Sequence, residues 1–484
     1  MPTKYYSGFK GIDRTDLRLR KDPESFFDSL NMQLTTKGLW ETRPGYQHRA
    51  TVHPQAKGLY VANGVLRCAV PAGSKYYKQF EITGSVEFDP IGKSESEDLA
   101  DDYIADVHDT NTFLTNGNGD RQPYLLITNP SGGIEHHWAQ YDSITTDQVN
   151  TKVQTSFQGG KSLAKLDQRF FTIDTANLTV PYSATLKADD WLTPDDAGFV
   201  NVSEHASGGR NLGAVSFLRD NLVVFFEDSV QLWDVATDPD RDFFLQAMNG
   251  PSTKAFRSIA NVDRDIYFLS TGGFRSVSSL TVQGERAVDD IGELIQPLTD
   301  LEDAEGDPIA LWSDATSRYY CVFNQPDNTS VWYVYTKSIV NNVSGWSRWT
   351  MDKTVEYLVE NDGVISFRTG DDIYDLIEGQ GNDEGTPINY QLQTHGIFGE
   401  DVDANKNWLD MELSQSSECQ VGFILQASDT EADGFQRVVG DTVDSYPVDI
   451  TWTSPQIAVV IKGTGHNKIE AFGLTWERIA GGNR

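Results

Sequence analysis

Seven times along this 484-residue chain an apolar strand is followed by a Gly, Asn or Asp turn and a second strand rich in aromatic or β-branched residues. The pairs begin near Leu59, Tyr124, Phe170, Leu222, Ile266, Tyr319 and Val364. Four are plain: LVVFFEDSVQLWDV from Leu222, IYFLSTGGFRSVS from Ile266, YYCVFNQPDNTSVWYVY from Tyr319 and VISFRTGDDIYDL from Val364. Several strands recurring at a period of roughly 40–50 residues predict a β-propeller, in which each repeat is one blade. The fold class expected is therefore all-β. Phe225, Trp233, Tyr267, Phe268, Trp332 and Tyr333 are its candidate core. Six blades is the favoured count and seven the other, because seven strand pairs need not be seven blades. One pair can belong elsewhere, or the two ends of the repeat region can complete one blade together.

The flanks of the repeats differ from them. Residues 1–50 read as an extended arm, punctuated by Gly8, Gly11, Pro23, Gly38 and the corner Arg43-Pro44-Gly45, with a short helix expected over Asp22 to Leu30. Residues 51–385 hold the strand pairs. Helical periodicity is nearly absent there; Ile291 to Leu298 allows a turn or two before Pro297 interferes. The segment 85–109 carries nine acidic residues against Lys93, which predicts a solvated acidic insertion. From about Thr386 six strands follow at sandwich-like spacing (INYQLQTHGIF, NWLDMELSQSS, CQVGFILQASD, VDITWTS, QIAVVIKGTG and IEAFGLTWERI). Residues 386–484 are thus expected to form a β-sandwich-like platform domain to which the arm contributes.

Charge narrows the partners. The formal net charge is −32, so the chain repels phosphates rather than holding nucleic acid through Lys and Arg. The imbalance is uneven: Lys4, Lys10, Arg14, Arg18, Arg20 and Lys21 face only Asp13 and Asp16 near the N-terminus. A basic arm on an acidic body predicts docking to an acidic partner surface. The longest apolar runs are too short for a membrane span of roughly 20 residues. MPTKYYSGFKG has no signal-peptide core, which predicts assembly in the cytosol.

No residue pattern specifies chemistry. Cys68, Cys321 and Cys419 are isolated and read as plain buried or half-exposed thiols. His136 and His137 are neighbours on one strand and face opposite sides, so they make a poor metal pair, and only His53 and His108 lie near in sequence. The Asp pairs 189–190, 195–196, 289–290 and 371–372 follow from composition in a chain with 71 acidic residues. A propeller glycosidase needs two carboxylates across one cleft, and the Ser-x-Asp-x-Gly-x-Thr-Trp boxes of sialidases are missing. There is no phosphate-binding Gly loop, Rossmann fingerprint or nucleophile elbow. Trp233-Asp234 is a single Trp-Asp dipeptide, too few for a WD40 protein. The sequons at Asn177, Asn201, Asn328 and Asn342 are incidental without secretion. No cofactor, no metal and no catalysis are expected.

The order of short blocks resembles a known family. Gly11-Ile12-Asp13, Ser29-Leu30-Asn31-Met32, Gly38-Leu39 and Arg43-Pro44-Gly45 resemble the opening of the tail nozzle proteins of short-tailed phages, also called tail hub or packaged-DNA stabilisation proteins. Leu218-Arg219-Asp220 with LVVFFEDSVQLWDV, then IYFLSTGGFRSVS and VDDIGELIQPL, occur in the family's order. The likeness spans most of residues 5–380. It implies a structural virion protein: a homohexameric ring below the portal and its adaptor, in contact with tailspike or tail fibre proteins. Such a ring retains packaged double-stranded DNA and conducts it during ejection. The basic arm residues would then dock on the adaptor, and an acidic lumen would let the duplex slide without sticking. The other readings are a tail-associated propeller depolymerase and a propeller adhesin or interaction scaffold.

Overall fold

The computed structural model describes residues 3–15, 24–52, most of 162–235, 253–277, most of 290–398, 404–425, 433–438 and 442–479. For residues 57–154 and 243–249 it describes strand backbones, with side chains placed only at Leu59, Val61 and Leu66. Within these limits the chain is β throughout, apart from a helical turn at Gln296–Thr299 and a 3-10 turn at Phe256–Ser258.

Seven sheets follow one another in chain order. They run from Lys57–Ala62 to Val86–Ile91, from Val107–Thr115 to Lys152–Gln154, from Leu163–Leu166 to Gly198–Asn201, and from Leu212–Leu218 to Phe243–Asn249. The fifth runs from Ala260–Val262 to Gly273–Ser276, the sixth from Ile309–Ser313 to Val343–Met351, and the seventh from Tyr357–Asn361 to Asp372–Ile377. Each is an antiparallel meander of sequential strands, four in all but the fifth, which has three. The seventh takes its fourth strand, Gly45–Thr51, from the start of the chain, pairing Tyr46 with Leu376 and Ala50 with Ile373. That strand was counted with the arm in the sequence. It belongs to the repeats.

Strand alternation explains how the sheets meet. Successive side chains leave a strand on opposite faces, and here both faces are apolar. On Arg318–Asn324, Tyr319, Cys321 and Phe323 join a core with Tyr267 and Phe274 of the fifth sheet, while Tyr320 and Val322 join Leu358, Ile365 and Phe367 of the seventh. On Asn221–Phe226, Leu222, Val224 and Phe226 pack with Phe171 and Val180 of the third sheet, and Val223 and Phe225 with Ile266 and Phe268 of the fifth. Ala50, Val52 and Ile373 then meet Leu59 and Leu66, so the seventh sheet packs on the first. Shared cores thus link the third sheet through the seventh to the first.

Both ends of the chain build the remaining two large sheets. One contains Thr3–Tyr6, Met32–Leu34, Trp40–Thr42, Lys406–Gln415, Thr442–Ser454 and Lys468–Arg478; the other contains Phe26–Leu30, Asn389–Thr394, Cys419–Ile424, Asp433–Val438 and Ala458–Thr464. They share one core, in which Phe26 of the second sheet meets Trp40 of the first edge-on at 5.4 Å. This core is continuous with that of the fifth and sixth sheets through Phe274, Tyr319 and Trp346.

Four details differ from the sequence expectations. The segment expected as a helix, Asp22 to Leu30, is a strand over Phe26–Leu30, because pairing with Asn389–Thr394 outweighs local propensity. Pro297 opens the helical turn rather than ending it; a first-turn residue has no intrahelical N–H bond to lose. The strand Asp433–Val438 was missed because its Asp-Gly start and polar residues read as a turn. The acidic insertion begins and ends in strands, Val86–Ile91 and Val107–Thr115, and its middle lies outside the described residues.

Trp332 is fully buried between the sixth and seventh sheets, stacked with Trp349 at 6.1 Å and edge-on to Phe367 at 5.9 Å. Trp332→Ala is expected to destabilise the fold by roughly 3–5 kcal/mol, read as a lowered urea midpoint.

Candidate functional site

Three of the arm blocks that carry the family resemblance, those at Gly11, Ser29 and Arg43, meet one feature, the outer strand of the sixth sheet, Val343–Met351. An outermost antiparallel strand leaves the backbone groups of alternate residues without a strand partner. Here the arm supplies the partners. Ile12 N–H donates to the Trp346 carbonyl at 3.0 Å, and Asn31 N–H to that of Arg348 at 3.0 Å. Arg348 N–H donates to Ser29 Oγ, and Thr350 N–H to Asn31 Oδ1 at 2.8 Å. Gly11 is required where the two chains touch: its φ is +90°, and a Cβ there would stand 2.7 Å from the Trp346 nitrogen. Gly345 faces the carbonyl of Lys10 at a separation that a Cβ would close to 2.1 Å.

Arg43 is the centre of this junction. Its side chain is 3% exposed, yet all five N–H groups are used. Nε donates to Asn31 Oδ1 at 3.1 Å; Nη1 donates to the Pro44 carbonyl and to Asp383 Oδ1, each at 2.9 Å. Nη2 donates to the Thr350 carbonyl at 3.1 Å and to Asp383 Oδ2 at 2.6 Å. The fork on Asp383 is the bidentate geometry for which guanidinium is suited and ammonium is not. Asp383 Oδ1 also accepts Tyr46 N–H at 3.2 Å, which sets the start of the strand closing the seventh sheet. Asn31, at φ 55°, donates from Nδ2 to the Asn389 carbonyl at 2.8 Å. Gly45 admits Asn382 so closely that any Cβ would collide with its carbonyl. The Arg-Pro-Gly corner and the Leu-Asn-Met block, distinct in sequence, are therefore one hydrogen-bonded unit.

The candidate docking residues divide. Arg14 pairs with Asp28 at 2.6 Å and lies 3.9 Å over the Phe27 ring, so its charge is spent within the chain. Lys10 reaches Glu24 at 3.5 Å from an exposed position. Lys4 stands on the exposed side of Thr3–Tyr6, 5.3 Å over the Tyr6 ring. Arg18, Arg20 and Lys21 lie outside the described residues. The candidate core aromatics are all buried: Phe225 and Phe268 meet edge-on at 5.4 Å, Trp233 packs between the third and fourth sheets with Nε1 on Gln231 Oε1, and Tyr333 donates to Glu302 at 2.5 Å. Tyr267 meets Tyr319 edge-on at 5.8 Å.

The other sequence features have structural partners where they are described. Asp372 accepts from Thr51 at 2.6 Å, which holds its carboxyl below the usual range, and Asp196 pairs with Arg169. Asp290 pairs with Arg275 at 2.8 Å while burial pushes its carboxyl up. Asn328 and Asn342 are left-handed turn residues, and Asn177 donates to Asp174. The side chains of His136, His137, His53 and His108, and that of Cys68, lie outside the described residues. No group of His, Cys, Asp and Glu suited to a metal occurs among the described residues, and no helix among them is long and apolar enough to cross a membrane.

No family model and no curated protein matches the chain. Among solved structures, the extracellular domain of a one-component system from B. thetaiotaomicron aligns with a TM-score of 0.42 at 6% identity. The alignment covers 90% of this chain and 60% of that one.

Two outcomes are expected. Arg43→Met leaves the Asp383 carboxylate without its cation and lowers stability by up to roughly 3 kcal/mol, the low end for a broken buried pair because Asp383 keeps some solvent. Arg43→Lys restores only part of that loss, since one ammonium cannot present two parallel donors; urea unfolding of the three proteins checks both. Burial raises the thiol pKa of Cys321 and takes that of Cys419 up to about 12. Neither cysteine should be alkylated in the folded chain near neutral pH, and both should be after unfolding, as read by peptide mass spectrometry.

Proposed function

We propose that the seven meander sheets are the blades of a β-propeller closed by the strand Gly45–Thr51, and that the two sheets built from both chain ends form a platform against it. The support is the order of the cores, each shared by neighbouring sheets, and the contact of the last sheet with the first. A ring closed by pairing its two ends leaves no free sheet at the seam, which gives a rigid disc.

On this scaffold we read a subunit of a phage tail nozzle: a structural virion protein, assembled in the host cytoplasm, that retains packaged DNA and conducts it during ejection. One observation carries the reading. Two of the blocks that resemble the nozzle family, Ser29–Met32 and Arg43–Gly45, meet at one junction through Asn31 and Arg43, and the block at Gly11 contacts the same outer strand at Trp346. A resemblance due to chance has no reason to select residues that touch. In the assembly proposed, six copies surround the channel, exposed Lys4 and Lys10 face the adaptor, and tailspikes or fibres attach outside. The acidic body repels the duplex along the lumen, so transit depends on no base contact. The chain performs no catalysis in this role.

Cryo-electron microscopy of purified phage particles that encode this chain tests the reading. A ring of this fold below the portal and adaptor is expected at the tail. A chain that purifies as a stable monomer and is missing from the tail ends the proposal.

A further inference from the structure

Arg348, on the outer strand Val343–Met351, carries a half-buried guanidinium that no group among the described residues answers. It makes no ion pair, side-chain hydrogen bond or ring contact there, and its Nε N–H is buried without an acceptor. A guanidinium drawn partly out of water loses hydration that an acid ordinarily returns, and this chain has 71 acids from which to supply one.

Two acids lie close, and both are directed elsewhere. Tyr333 stands directly across from Arg348 on the neighbouring strand, so the two side chains leave the same face of the sheet. Glu302 accepts from that tyrosine at 2.5 Å and from Gln325 Nε2 at 3.1 Å. Asp28 precedes Ser29, whose Oγ takes the Arg348 N–H, and its Oδ2 accepts Arg14 Nη2 at 2.6 Å. The Tyr333 hydroxyl senses the whole group: burial and then Glu302 push its pKa up, Asp28 acts the same way and Arg348 against them.

The unmatched atoms form a set. Besides Arg348 Nε, the donor Arg14 Nε and the acceptor Asp28 Oδ1 are buried here without a hydrogen-bond partner. Buried polar groups are seldom left so, and three in one recess between the arm and the sixth sheet point to an occupant. Two guanidiniums call for an oxyanion. An ionised carboxylate only accepts, so Asp28 Oδ1 calls for a hydrogen carried by that same anion. Sulfate, a phosphodiester and a carboxylate bring none at neutral pH. Inorganic phosphate keeps at least one.

We propose that Arg14, Asp28 and Arg348 form a binding site for inorganic phosphate, the two arginines donating to its oxygens and its P–O–H donating to Asp28 Oδ1. The anion ties the arm to the sixth sheet, so its binding stabilises the docked arm. Glu302 lies near enough to oppose a second negative charge, which favours the more protonated form of the ligand. The site is independent of the nozzle reading.

Calorimetric titration of the full chain with sodium phosphate at neutral pH, in a fixed chloride background, tests it against sodium sulfate. One phosphate per chain is expected, with a raised thermal unfolding midpoint. Sulfate should bind roughly tenfold or more weakly, because it leaves Asp28 Oδ1 unpaired. Arg348→Met should abolish phosphate binding without lowering the urea midpoint, since the guanidinium makes no contact to lose. Asp28→Asn, whose amide can donate, should erase the preference and let sulfate bind as well as phosphate. No saturable phosphate binding would leave the recess to water and overturn the proposal. Equal affinity for the two anions in the unaltered chain, or phosphate binding untouched by Arg348→Met, would overturn it as well.

Discussion

A buried guanidinium whose five donors are all satisfied sits where four parts of this chain meet. Moving such a charge out of water costs several kcal/mol, and it is tolerated only where geometry returns that cost. Arg43 meets the condition with a bidentate carboxylate, one side-chain amide and two backbone carbonyls. An apolar side chain of similar volume could fill the space. It could not fix which segment arrives at which partner. Asp383 holds both Arg43 and the Tyr46 amide, so the register of the strand closing the seventh sheet follows from the same carboxylate that neutralises the charge. Asn31 carries the constraint in the other direction, onto Asn389 at the start of a strand shared with the arm.

The same junction answers the problem of an exposed sheet edge. The sixth sheet's outer strand would offer a row of backbone groups to any passing strand. The arm occupies them with Gly11 to Asn31 and leaves only the turn beyond, where Ile339 and Val340 emerge. The third sheet ends differently. Its outer strand keeps Phe199 in solvent. Sheets built on one pattern thus acquire distinct rims, one covered by the arm and one with an exposed aromatic ring.

What the sequence could say followed burial. Six of the seven recognised strand pairs are the second and third strands of their sheets, the ones covered on both faces, where Val223, Phe225 and Tyr320 have to be apolar whatever their neighbours. The fourth strand Gly198–Asn201 faces solvent in part and carries no such signal. The closing strand was illegible for another reason: GYQHRAT is polar on one face, and only its partner 321 or more residues away makes it a strand. The Arg-Pro-Gly corner was visible as a turn, but its Arg could not be seen as buried. Asp383, the residue that makes burial possible, lies 340 positions along the chain and looks like any other acid in an acidic protein.

That separation bears on how the molecule is made. Arg43 with Asp383, Thr42 with Asn467, and Thr3–Tyr6 with Lys468–Arg478 join segments made first to segments made last. Contacts this distant must pay for loop closure before they return any stability, so they form late. Until then Arg43 has no carboxylate to hold, and the seventh sheet lacks its fourth strand. The sheets between can form from local hairpins, but the charge of Arg43 stays in water until the segment around Asp383 arrives. Arm docking, completion of the seventh sheet and folding of the two sheets built from both chain ends are therefore one event.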